Sequence, residues 1–524
     1  MSDPTWLAAQ GRHDGRRATL RDIFALDCHA PARHITGPMR RSAVLAALAV
    51  LSACTVGPDY RPRTAAELGV PADYSLPAGP SAEDLTRWWS RFNDAELTRL
   101  VDLARTGNTD LAQAVGRLRQ AREALVQSRA NLLPAVNGSA GYSRSETLRG
   151  GGNTVTLPDG TVQTLGGRGG DNFSLGVDAQ YQVGLFGEVR RTVEASRAEQ
   201  DAARFDYATV LVSVTGEVAR NYVLARAYQA QIANARASLA IQDDNLEIAG
   251  FRVRAGLVSS LDREQARAQR AQIAATIPQL QQQYEATVAR LGVLTGQAPG
   301  ALRTELAATR PIPTAAPVSA GIPADVLRQR PDVRAAERSL AAATARIGVA
   351  EAQLYPALAI SGNIDTNAAS IGNIANTITG GLFAGLTQAI FNGGRLRSQV
   401  RAQEAAADTA LAAYKGTVLT ALEDVENALS ALRAAEDRQR AFAVAFDAAN
   451  NSAILSRSQY RTGLTDFTTL QQQELSLLSA RNGLTQAQAD RASALVQLYA
   501  ALGGGWDEVA LPDGRAAPPT TGSR

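Results

Sequence analysis

The sequence predicts a mainly α-helical protomer made of two copies of one unit, each carrying two short strands and a long helical hairpin. Three observations lead there. The two halves of the 524-residue chain resemble each other, short stretches alternate with period two, and long proline-free runs keep a seven-residue apolar spacing.

The repeat comes first because it sets the order of the parts. Asp110, Ala114, Leu118, Ala121, Ala130, Leu132, Pro134 and Ala135 recur at constant offset as Asp332, Ala336, Leu340, Ala343, Ala352, Leu354, Pro356 and Ala357. A second block carries Gly187, Arg190, Val218, Arg226, Arg254, Gly256 and Leu257 onto Gly394, Arg397, Val425, Arg433, Arg461, Gly463 and Leu464. Its offset is smaller because the first half holds a longer Gly-rich insertion, residues 149–171. The first unit spans 86–310, with a β-hairpin over 134–183 and a helical hairpin over 188–298; the second spans 311–506, with 356–391 and 395–502.

Each unit opens with a helical segment, about 95–132 and 324–354, that stops at Pro134 or Pro356, where proline and its predecessor leave helical space. Strands follow. Phe173, Leu175, Val177, Ala179 and Tyr181 alternate with Ser174, Gly176, Asp178 and Gln180, and Leu358, Ile360, Gly362 and Ile364 alternate with Ala359, Ser361, Asn363 and Asp365. Such strands present two faces to different media. The Gly-rich loops between paired strands, 149–171 and 366–381, carry no helical signal. Residues 188 to about 250 and 395 to about 458 lack proline, and at 1.5 Å per residue each run extends roughly 90 Å if unbroken. Val418, Leu422, Val425, Leu429 and Leu432, answered by Leu211, Thr215, Val218, Tyr222 and Ala225, predict coiled-coil packing. Gly256 and Gly463 mark the turns into the returning helices, about 262–298 and 467–502.

Rare residues narrow the chemistry. His13, His29 and His34 all precede residue 40, the cysteines are Cys28 and Cys54, and Lys415 is the one lysine, with no Gly-rich phosphate loop before it. A chain processed near residue 54 then has no Ser/His or Cys/His pair, no tetrahedral zinc set and no P-loop, so an enzyme is not expected. With 53 basic and 50 acidic side chains, nothing points to nucleic acid. No cofactor is called for.

Residues 1–38 read as a mis-called N-terminal extension ahead of Met39. From there Arg40-Arg41, a short apolar run from Ala43 to Leu51 and Leu51-Ser52-Ala53-Cys54 resemble a bacterial lipoprotein signal peptide, residues 39–53. Cys54 would then be the acylated first residue, its covalent lipid anchoring a tether over 54–85. Thr55 in place of an aspartate implies the outer membrane. The tether, with Pro58, Pro62, Pro71, Pro77 and Pro80, reads as extended and without a core of its own; residues 507–524 read as a disordered tail.

Strands with a lipid-facing side must close, because unpaired edges in hydrocarbon cost several kcal/mol per backbone group. Four strands per chain close by copying at eight or twelve. Twelve leaves an axial space, which suits the Gly, Ser, Asn and Asp residues of the second face. A homotrimer with one twelve-stranded membrane β-barrel continued by a tube of long helices is therefore expected.

Four segments then carry a family resemblance: Trp88-Trp89-Ser90-Arg91-Phe92-Asn93-Asp94, the stretch from Ile322 through Arg328-Gln329-Arg330-Pro331-Asp332 to Glu337, Phe391-Asn392-Gly393-Gly394-Arg395-Leu396, and Leu498-Tyr499-Ala500-Ala501-Leu502-Gly503-Gly504-Gly505-Trp506. They resemble signature segments of outer-membrane efflux lipoproteins, the outer channels of resistance-nodulation-division pumps. The resemblance implies a trimeric channel-tunnel with a twelve-stranded β-barrel in the outer membrane and a periplasmic α-barrel, closed at its periplasmic tip. A periplasmic adaptor (membrane fusion) protein and a proton-driven inner-membrane pump would open it. At the tip it implies a gate of Asp262 and Tyr460, helped by Arg461 or Arg254; solvated turn-capping residues are the plainer alternative. Relatives carry an acidic ring where this chain has Gln472, so a less cation-selective mouth is expected, with Asp466 as a partial replacement. Two other roles stay open: the outer channel of a type I protein secretion system, and a non-conducting lipid-anchored coiled-coil scaffold.

Overall fold

The computed structural model describes residues 55–72, 74, 85–146, 148, 153–165, 170–315 and 329–512. Cys54, the signal segment, the start of the Ile322 motif and the end of the tail lie outside the described residues. A one-turn 3-10 helix at Trp88–Phe92 leads into α1 (Ala95–Gly107), which Asp94 caps by accepting from the amides of Glu96 and Leu97. The helix expected over 95–132 is in fact two, because Asn108 breaks it. Its side-chain oxygen accepts from the amides of Asp110 and Leu111, which starts α2 (Thr109–Ala130), while its amide group donates to Leu294 O at 2.8 Å.

Strands β1 (Ala135–Ser145) and β4 (Gly170–Val183) pair antiparallel, as do β5 (Ala357–Ala368) and β6 (Ile378–Thr387). β4 also pairs with β5, so one sheet of order β1-β4-β5-β6 joins the two halves. The insertion expected as plain loop contains a small hairpin, β2 (Asn153–Thr156) with β3 (Val162–Leu165). Gly160 at φ +81 supplies the left-handed turn that Asp159-Gly160 signals.

Two long helices leave the sheet, α3 (Glu188–Arg254) and α7 (Arg395–Thr462), and α4 (Ser260–Leu294) and α8 (Phe467–Ala501) return alongside them. Both long helices begin after a left-handed glycine, Gly187 and Gly394, each at φ +84. A four-residue helix α5 (Arg303–Leu306) follows α4, and α6 (Pro331–Ala352) opens the second half. Of the second expected helix, 324–354, residues 324–328 lie outside the described residues; Arg330 takes extended backbone ahead of Pro331, and α6 starts there. Val418, Val425, Leu429 and Leu432 are buried, as are Leu211, Thr215, Val218, Tyr222 and Ala225, so the heptad positions do face the seams. Among the described residues no helix is long and apolar enough to cross a membrane.

Residues 55–72 differ from a loose tether. Leu68 is buried with Val333, Leu340, Tyr414 and Val418, and Tyr60 donates to Glu337 Oε1 at 3.1 Å. The segment has no core of its own but completes that of α6 and α7.

Candidate functional site

The ladder register sorts the sheet into two surfaces. Opposed residues share a face, so Val136, Ala140, Tyr142, Phe173, Leu175, Val177, Ala179, Tyr181, Leu358, Ile360, Ile364, Leu382 and Leu386 fall on one side. The other side carries Asn137, Ser139, Ser143, Asn172, Ser174, Asp178, Gln180, Ser361, Asn363, Asp365 and Thr379. Its one large apolar residue is Phe383, whose ring lies across Gly385. The apolar side stays open: Val136, Leu175, Val177, Ile364, Leu382 and Leu386 are all exposed. Within one chain, β1 and β6 are the outer strands of the sheet.

Three of the four signature segments meet where the hairpins join. Trp88 stacks on Tyr499 at 5.0 Å and 12°. Tyr222 donates to Asp94 Oδ2 at 2.7 Å, and Trp506 Nε1 to Gln329 O at 3.1 Å. Arg330 donates to both Asp332 oxygens, to Asp424 at 3.0 Å and to Ala501 O at 3.0 Å. These bonds hold its guanidinium, already disfavoured by burial, above its ordinary pKa. The fourth segment, at Gly393-Gly394, turns the chain from the sheet into α7.

At the far end both turns close alike. Leu257 N donates to Arg252 O and Gly256 N to Val253 O; Leu464 N donates to Gln459 O and Gly463 N to Tyr460 O. Each is a helix-terminating pair of bonds around a left-handed glycine, φ +70 and +81. The leucines after them are 69% and 79% exposed, so the apolar contact that often accompanies this motif is unmade.

Tyr460 sits in the tip core with Phe467, Leu470, Ala249 and Ala266, its ring edge-on to Phe467 at 5.9 Å. The arginine over it is Arg252, at 4.6 Å from the ring centre and donating to Tyr460 O at 3.0 Å. Sequence spacing pointed instead to Arg254, which covers Phe251 of its own helix, and to Arg461, which is exposed. Burial raises the Tyr460 phenol pKa; Arg252 opposes this and the nearby Asp262 charge adds to it. Asp262 is half-buried in the first turn of α4, and among the described residues the buried Tyr460 hydroxyl makes no hydrogen bond, so the two are not bonded to each other here. Asp466 caps α8, accepting from Thr469 N at 2.7 Å and its hydroxyl at 3.2 Å, which holds its carboxyl below the usual range. Gln472 is exposed one turn on.

Two features escaped the sequence. Glu474, nearly fully buried, accepts from Arg457 through both oxygens, one contact at 2.8 Å. Amide pairs also link the hairpins, among them Gln471 Nε2 to Gln269 Oε1 at 3.0 Å. A glutamine-rich run reads as solvated, so nothing in its composition announced this. Among the described residues no cluster of metal-ligating side chains occurs.

Comparison with known proteins agrees with this geometry. The family profile of outer membrane efflux proteins matches residues 100–297 and 322–504. The pyoverdine export outer membrane protein OpmQ of Pseudomonas putida is 33% identical over 83% of this chain and 92% of its own length. Nodulation protein T of Rhizobium leguminosarum bv. trifolii is 31% identical over 88% and 96%. The solved outer-membrane channel OprN superposes with a TM-score of 0.77 at 33% identity, covering 86% of this chain and all of that one. The chain belongs to the outer membrane efflux protein family.

Proposed function

We propose that this chain is the outer-membrane channel of a tripartite efflux system, a passive conduit from periplasm to exterior for small molecules. One observation carries the reading: a four-stranded sheet with one apolar face, one small and polar face and two outer edges stands at the end of two long helical hairpins. Strand direction alternates across it, so β6 of one copy meets β1 of the next antiparallel, and three copies close twelve strands around a wet lumen. The two halves are copies of one unit. Cys54 carries the lipid, and the outer membrane is the site. The chain supplies no driving force of its own, which leaves that to a proton-driven inner-membrane pump reached through a periplasmic adaptor. The exposed Leu257 and Leu464 offer that adaptor an apolar foothold at the tips. The pyoverdine-export relative favours a small-molecule cargo over a secreted protein.

In the closed state Asp262 and Tyr460 restrain the tip, and Gln472 leaves the mouth with neutral amides where relatives have carboxylates. The decisive experiment is crosslinking and mass measurement in detergent together with conductance in planar bilayers. Trimers that conduct support the channel. Monomers or dimers alone, or a membrane that never conducts under any opening condition, sink it. For the gate, Asp262→Ala raises open-channel conductance and vancomycin sensitivity; no change in either removes Asp262 from the role. Cobalt block at low micromolar concentration would speak against the neutral mouth.

A further inference from the structure

The residues that follow Cys54 are built into the protein at one point, and Arg191 is its centre. This side chain, in the first turn of α3, is only 5% exposed. Its Nε donates to Val56 O at 3.1 Å and its Nη2 to Gly57 O at 3.1 Å and Asp59 Oδ1 at 2.7 Å, while Nη1 donates to Glu194 Oε2 at 2.8 Å. Val56 N donates to Phe186 O at 3.2 Å. Three glycines from distant parts of the chain make the space. A Cβ on Gly57 would lie 2.3 Å from Gly348 Cα, one on Gly348 would lie 2.9 Å from Val56 O, and one on Gly187 would lie 2.7 Å from Thr55 Cγ2. Gly57 also holds φ +92, which side-chain-bearing residues rarely adopt.

The bonding is lopsided in an informative way. Two carbonyls and one carboxylate of Arg191 belong to the N-terminal segment, and Glu194 is the one partner from its own helix. Lifting the segment away strips most of the ligands from a guanidinium that stays packed against Gly348, an arrangement desolvation disfavours. The contact lies just past the end of β4, where the sheet hands over to the helices.

We infer that Arg191, with Gly57, Gly187 and Gly348, is a clamp that fixes the acylated N-terminus at the sheet–helix junction and so sets the depth at which the sheet enters the bilayer. Thr55 touches Gly187 at the sheet's base, so a lipid on the residue bonded to its amide, Cys54, would be tethered one residue from that point. A loose leash would let the sheet sample any height; a clamped one delivers lipid and apolar face to the same leaflet together, as a short link raises effective concentration. Arg191 acts here as a positioning residue. The depth role rests on the acylation of Cys54 proposed above, whereas the clamp does not.

The test uses the full chain, processed in cells and purified in detergent, beside Arg191→Ala, Arg191→Lys and Gly57→Val. Trypsin cleavage after the exposed Arg63 reports release of the segment, since proteolysis follows the population of the opened state. Arg191→Ala and Gly57→Val are expected to be cut roughly tenfold faster than the parent, as loss of charge-assisted bonds or of the glycine fit opens the segment. Arg191→Lys recovers little, because an ammonium lacks the planar fork. Gly57 lies in no helix but faces Gly348 of α6, so resistance of α3, α6 and α8 to trypsin separates release of the segment from misfolding. The fraction reaching the heat-modifiable membrane form falls in the same two variants. Parental cleavage rates in both overturn the clamp, and faster cleavage with unchanged membrane assembly overturns the depth role. The mass of the N-terminal peptide decides acylation separately; an unmodified Cys54 removes the lipid and the depth role while the cleavage result still decides the clamp.

Discussion

The seam between the two helical hairpins changes material along its length. Midway along the long helices, Leu211, Val214, Val218 and Tyr222 of α3 pack with Leu495, Leu498 and Tyr499 of α8 and with Val425 and Leu429 of α7, sealed by Trp88 and Trp89. Between that cluster and the apolar tip core of Tyr460, Phe467, Leu470, Ala249 and Ala266, the hairpins meet through amides. Gln231 donates to Gln486 at 3.2 Å, Asn234 to Asn482 at 3.2 Å and Thr485 at 3.1 Å, and Gln471 to Gln269 at 3.0 Å. Apolar area removed from water contributes roughly 25 cal/mol per Å² with no substitute when the surfaces part. An amide rung, by contrast, exchanges its partner for water at a net cost of about 1 kcal/mol. The upper apolar seam therefore fixes the hairpins to each other more firmly than the amide rungs below it, which resist sliding less.

The contrast can be broken at its strong end first. Trp88→Ala leaves a hole against Tyr499 and is expected to cost about 3–5 kcal/mol, seen as early melting of the whole helical body. A variant that melts like the parent would mean the upper seam is not what joins the hairpins. Next comes Glu474→Ala, which strands Arg457 beside α8. Breaking a buried pair costs roughly 3 kcal/mol or more, and the low end applies because Arg457 keeps a quarter of its side chain in water. Its effect should centre on the tip, with faster hydrogen exchange between 457 and 474 and a smaller shift of the melt than Trp88→Ala gives.

A third variant sharpens the comparison by making the lower seam like the upper one. Asn234→Leu combined with Asn482→Leu replaces both members of a rung with apolar groups of similar size, a change that is near neutral for folding. Sliding then has to expose leucine. Channel openings in planar bilayers should become several-fold rarer, in keeping with the 1.4 kcal/mol that separates tenfold differences in population. Unaltered opening frequency would show that the rungs do not set the ease of sliding.

Most of the fold was legible because its causes are periodic. Alternation at Phe173–Tyr181 and Leu358–Ile364 named the strands, and heptad spacing from Val418 to Leu432 named the seam. Asn108 was harder: Gly107-Asn108-Thr109 is a cap signal, but a helical pattern runs through it on both sides. The Asp159-Gly160 hairpin signal was present and went unread inside a Gly-rich insertion. The tip was least legible. Choosing Arg252 over Arg254 and Arg461 depends on which face of α3 meets α7, and spacing fixes the turn but not the neighbour across it. The Arg191 contacts end on the carbonyls of Val56 and Gly57, and backbone acceptors leave no trace in residue type.

The smallest effect concerns acid, and it tests whether the tip yields independently of the apolar seam. Thr469 holds the Asp466 carboxyl below its ordinary range through two bonds, so the folded form binds its proton less readily than the unfolded chain. The cap of α8 therefore contributes fully above the ordinary carboxylate range and is lost as pH falls through the lower folded value. On acidification the amides of Phe467 to Leu470 should exchange faster while those of Leu495 to Leu498, in the apolar seam, do not. Asp466→Asn keeps a capping oxygen without a titrating proton, so it should cap about as well and show no such pH dependence. Were the asparagine variant to fray in acid as the parent does, some other group would control the tip. Were both ends of α8 to loosen together, the two seams would be one cooperative unit and the sliding motion would have no place to begin.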